Sequence, residues 1–141
     1  MATSRKLLCA VYALVALAAL VATWSQNVAY SGDPANLLST FWTAAKVNPA
    51  SRSITVDIAL FFLAAAILMV IEARKHQIKF VWAYLIGGLL IAISVTFPLF
   101  LIARELRMAD SDAERLRPAD IVLLALLGIG TAAFVLWVDV F

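Results

Sequence analysis

Four apolar runs, each close to the length of a bilayer crossing, occupy most of this 141-residue chain. A helix needs about 20 mostly apolar residues to cross a hydrocarbon core of roughly 30 Å. The runs are Leu7 to Trp24, Ile54 to Ile71, Phe80 to Ala103 and Ile121 to Phe141. Each is apolar all round rather than on one stripe, as a lipid-embedded helix should be. Segments of about 10 residues alternating polar and apolar, the mark of a membrane barrel, are absent. The pattern predicts an all-α integral membrane bundle, with transmembrane helices over about 6–25, 54–73, 79–106 and 119–140. Composition agrees. Hydrophobic residues make up 65% and charged residues 14%, against about 45–50% and about 25% in soluble domains. A small water-facing fold has too little interior for that apolar surface. Soluble enzymes, disordered regulators and nucleic-acid binders are excluded, the last also because the net charge is only +2.

The first run follows Arg5 and Lys6, as a signal peptide would, but it exceeds the usual apolar length of about 7–15 residues. It is read as a retained helix. The long loop after it holds Asp33-Pro34, a helix start with a capping carboxylate and a proline at the first position. Leu37, Leu38, Phe41, Trp42 and Ala45 then share a face, which predicts a short interfacial helix over about 34–46. Asn48-Pro49 is read as its end and Ser53 as the cap of the next helix. Before the last run lies a mixed-charge stretch in which Ser111 and Glu114 have capping-box spacing and Pro118 restarts the chain.

Four crossings place both chain ends on one side. Arg5, Lys6, Arg74, Lys75 and Lys79 then face Lys46, Arg52, Arg104, Arg107, Arg115 and Arg117. That near-balance leaves orientation to the first helix, which usually dominates, and predicts both ends in the cytoplasm. Trp24, Tyr30 and Trp42 on one side, and Trp82, Tyr84 and Trp137 on the other, read as headgroup-level belts.

An ionisable group inside a span is a functional candidate by default. Asp57 is the main one. It is read either as a structural ion pair, with Arg52, Arg104 and Arg107 on its side of the membrane, or as a proton- or cation-handling carboxylate. Glu105 is the carboxylate expected near it, because Glu72 lies over about 20 Å away along the same helix at 1.5 Å per residue. Pro98 is a candidate kink. It frees the carbonyl of Ser94, with Ser94 and Thr96 positioned to satisfy that neighbourhood. Gly88, Ala92 and Thr96, like Gly128 and Ala132, are spaced for close helix packing. The single His76 and single Cys9 supply no haem, zinc or disulfide set. No catalytic set, cofactor site or metal site is predicted.

Asp57 opening the second helix, Glu72-Ala73-Arg74 closing it, and Phe97-Pro98-Leu99-Phe100-Leu101 followed by Arg104-Glu105 carry a family likeness. Across its first three helices the chain resembles small bacterial membrane proteins grouped as domain of unknown function 2834. The resemblance implies a compact multi-spanning protein of a bacterial inner membrane and brings no activity with it. Three function classes stay open. The first is a structural or accessory subunit that packs against itself or a larger membrane complex. The second is a small transporter unit using Asp57. The third is a membrane-embedded enzyme on a lipid or isoprenoid substrate. The expected partners are the bilayer and other membrane helices, with no nucleic acid and no cofactor.

Overall fold

In the computed structural model, the described residues are 3–30, 32, 35–108 and 117–140. Among them the chain is all-helical, and four helical segments are long and apolar enough to cross a membrane. The chain divides into two compact units, Met1–Arg107 and Met108–Phe141.

In the first unit, α1 spans Thr3–Asn27, and a 3-10 turn, Val28–Tyr30, follows it. The interfacial helix is α2, Leu37–Ala44. The expected start at Asp33-Pro34 lies outside the described residues. Helix α3 covers Pro49–Lys75. It begins earlier than the expected Ser53 cap. Asn48 Oδ1 accepts a hydrogen bond from the Ser51 amide at 2.8 Å, and Pro49 occupies the first turn. Asn48-Pro49 therefore starts α3, because a proline at the first helical position loses no backbone bond. Asp57 consequently lies about 12 Å along the helix at 1.5 Å per residue, not in its first turn.

The end of α3 is capped by chain geometry. Gln77 takes a left-handed conformation, with φ 53°. The Ile78 amide donates back to the Ala73 carbonyl at 2.8 Å. This is a Schellman closure, and its usual apolar contact is present, since Ala73 and Ile78 share the core. Phe80 is also left-handed, with φ 61°, and turns the chain into α4, Val81–Gly87. A π-helical turn, Gly88–Ala92, leads to α5, Ile93–Arg107.

Between α4 and α5 the chain folds back on itself. The rings of Tyr84 and Phe100 meet edge to face, with centroids 5.8 Å apart. In a straight helix those residues would stand about 24 Å apart. A Cβ placed on Gly87 would sit 3.1 Å from Thr96 Cγ2. Arg104, near the end of α5, meets Glu72, near the end of α3. The third apolar segment therefore has both of its ends at one end of the unit. Direction changes at Gly88–Ala92, upstream of the expected kink at Pro98. Pro98 lies buried within α5, which continues through it. Gly88 lets the turn close: an added Cβ would lie 2.9 Å from Phe62 Cε2 and 3.0 Å from Thr96 Oγ1. Phe62 and Glu72 are about 15 Å apart along α3, so the turn lies about 15 Å from the Glu72 end of that helix.

The core sits inside this hairpin and against α3. Met69 and Phe100 are fully buried, with Ala73, Val81, Leu85 and Ile93 around them. Helix α1 packs along α5. Most other apolar side chains face outward, as they do where lipid rather than water is the solvent. The second unit contributes α6, Pro118–Val140, which buries none of its residues. The expected capping box at Ser111 and Glu114 lies outside the described residues.

Candidate functional site

The buried charged groups of the first unit gather at the end where α1 begins and α3 and α5 end. Arg5 is 5% exposed and Glu105 is 5% exposed. Arg5 Nε donates to Glu105 Oε2 at 3.1 Å, and an Arg5 terminal nitrogen donates to the main-chain carbonyl of Glu105. Arg104 Nη1 donates to Glu105 Oε1 at 3.3 Å. Arg104 Nε donates to Glu72 Oε2. His76 Nε2 lies 3.4 Å from the same Glu72 oxygen. The result is a chain of groups, Arg5–Glu105–Arg104–Glu72–His76, linking three helices.

Two guanidiniums and two carboxylates balance. Each carboxylate oxygen that accepts does so from a guanidinium, a strong charge-assisted bond. The fold-back is what assembles the set. Arg104 and Glu105 come from α5, Glu72 and His76 from α3, and Arg5 from the first turns of α1. His76 Nε2 is buried and makes no hydrogen bond among the described residues, despite its proximity to Glu72. No nucleophile stands within the set. Among the described residues no three His, Cys, Asp or Glu side chains are gathered for a metal ion. The arrangement acts as an electrostatic clasp holding three helix ends together.

This corrects the expected pairing of Asp57 with Arg104 and Glu105. Both partners are engaged at the opposite end of α3, about 22 Å from Asp57 at 1.5 Å per residue. Glu72 and Glu105, not Asp57 and Glu105, are the carboxylates brought together, with Arg104 between them. Asp57 is exposed on α3 and has no ion-pair partner among the described residues. Thr96 is buried at the fold-back, where its hydroxyl donates to the Ala92 carbonyl at 3.5 Å. Ser94 is exposed. The sequence reading names Arg5, Glu72 and His76 separately but does not bring them into one set. The available signal was a 24-residue apolar run, Phe80 to Ala103, with Gly87-Gly88 inside it.

A family described as "Protein of unknown function DUF2834" matches residues 11–106. The match ends one residue after Glu105 and lies wholly within the first compact unit. No curated protein and no solved structure matches the chain.

Proposed function

Since this chain belongs to the family described as protein of unknown function DUF2834, we propose that it is a structural or accessory subunit of a larger assembly in the bacterial inner membrane. The observation that carries this reading is Asp57. It lies within the apolar run Ile54 to Ile71, on an exposed face of α3, without an ion-pair partner among the described residues. A lone carboxylate in hydrocarbon costs about 2.5–3.5 kcal/mol on insertion scales, and such groups almost always find a partner or an aqueous cavity. A basic or hydrogen-bonding group from a neighbouring subunit offsets that cost. Helix α6 supports the same reading. It is apolar on all faces, and a Cβ at Gly128 or Gly130 meets nothing within 4 Å. A partner backbone can approach closely there.

The clasp supports an orientation as well. It brings Arg104 and Arg107 to the end that carries Arg5, Lys6, Arg74, Lys75 and Lys79, leaving Lys46 and Arg52 at the other end of this unit. That is seven against two, in place of the near-balance expected from four straight crossings. By the rule that Lys and Arg stay inside, this supports a cytoplasmic clasp end.

The test is native mass spectrometry of the full chain, purified in mild detergent. The wild type is expected to carry a stoichiometric protein partner, whose mass identifies it as another subunit or a second copy. Asp57→Asn is expected to weaken that association roughly tenfold, about 1.4 kcal/mol, while Asp57→Glu retains it. A bare wild-type monomer, or an Asp57→Asn complex as stable as the wild type, overturns the reading.

A further inference from the structure

Not every cation at the clasp end is neutralised. Arg5 and Arg104 use both nearby carboxylates. Arg74 and Lys79 make no ion pair among the described residues, and both line one open hollow of about 470 Å³ together with Gln77 and Phe80. A second hollow, about 410 Å³, shares Lys79 and Phe80 with it and continues past Tyr84, Gly87 and Ile91 to Thr96. The first hollow offers two cations and an amide. The second is mostly apolar and ends at the fold-back. Since that turn lies about 15 Å from the charged end, the pair of hollows is about as long as one leaflet's hydrocarbon is thick.

Two left-handed residues, Gln77 and Phe80, bracket Lys79. Such conformations cost of order 1–3 kcal/mol in non-glycine residues. The loop that presents Lys79 is therefore held by the Schellman closure and the core contact of Ile78, not left to the solvent. Phe80 and Trp82 project beside it, 80% and 60% exposed, as aromatic side chains do at headgroup level.

We propose that these adjoining hollows, which share Lys79 and Phe80, together hold one anionic phospholipid, with its phosphate between Arg74 and Lys79 and one acyl chain along Ala83, Gly87 and Ile91 towards Thr96. Charge complementarity selects the occupant: two uncompensated cations face an acceptor with several oxygens, and basic pockets beside membrane helices take such headgroups. The apolar extension selects a lipid over a free phosphate. The site lies within the family-matched unit and does not depend on the accessory role.

Native mass spectrometry of the full chain with added lipid tests this. Phosphatidylglycerol and phosphatidylcholine of identical acyl chains are compared. The wild type is expected to retain phosphatidylglycerol about tenfold more than phosphatidylcholine. Arg74→Gln/Lys79→Gln is expected to bring the two near parity. Lys6→Gln/Lys75→Gln removes the same charge at the same end but outside the hollows, and is expected to keep the preference. Excess inorganic phosphate is expected to leave the lipid bound. Equal retention of the two lipids by the wild type, equal loss in both double variants, or displacement by inorganic phosphate overturns the proposal.

Discussion

Glu105→Ala is expected to lower folding stability by about 3–5 kcal/mol, the range for removing one partner of a buried ion pair. Glu105 accepts from two guanidiniums, and its own side chain is 7% exposed. Its loss removes the carboxylate that Arg5, whose side chain is 6% exposed, holds at 3.1 Å. Arg104 keeps Glu72. The effect should therefore be coupled to Arg5: the Arg5→Ala/Glu105→Ala double variant should lose less than the sum of the single losses. A coupling of about 0.5–3 kcal/mol is expected for groups in one network. Unfolding of the detergent-solubilised protein, followed by circular dichroism, gives all three values. A Glu105→Ala loss within about 0.5 kcal/mol of zero, as at ordinary surface positions, would show that the clasp holds nothing together.

The second large effect belongs to the fold-back. Gly88→Leu is expected to cost about 1–3 kcal/mol, the usual range for overpacking a filled site. The first added carbon already meets Phe62 Cε2 at 2.9 Å and Thr96 Oγ1 at 3.0 Å. A leucine must displace both α3 and α5. Gly128→Leu makes the same chemical change in α6, where an added Cβ meets nothing within 4 Å. Its cost to the isolated chain should be no more than the ordinary surface range of about 0.5 kcal/mol. The difference between the two variants, read as a difference in melting temperature in the same detergent, reports the close approach rather than glycine loss as such. Equal shifts would contradict it.

The four apolar segments were legible because lipid imposes one requirement on every spanning residue, and composition registers it directly. The start of α3 was not. Asn48-Pro49 can end one helix or cap another, and only the bond from Asn48 Oδ1 to the Ser51 amide separates the two. The fold-back was hidden for a stronger reason. Hydropathy counts apolar residues and cannot distinguish one crossing from two shorter arms joined by a turn. Phe80 to Ala103 therefore read as a straight helix, and that assumption sent Arg104 and Glu105 to the wrong end. Asp57 then looked like their natural partner. With the turn at Gly88–Ala92, α5 delivers both residues to Glu72 and Arg5 instead. Pro98 drew attention because proline removes a backbone bond, yet Gly88 governs the change in direction by allowing Phe62 and Thr96 to close on it.

Cysteine accessibility in intact cells tests the fold-back most directly. In a Cys9→Ser background, single substitutions Lys46→Cys, Lys75→Cys and Arg107→Cys place a thiol before α3, at its end and at the end of α5. All three native side chains are exposed. A membrane-impermeant maleimide should label position 46 from outside, and positions 75 and 107 only after permeabilisation. Position 107 labelling with 46, while 75 stays protected, would mean that α4 and α5 form a straight crossing and that the clasp does not exist.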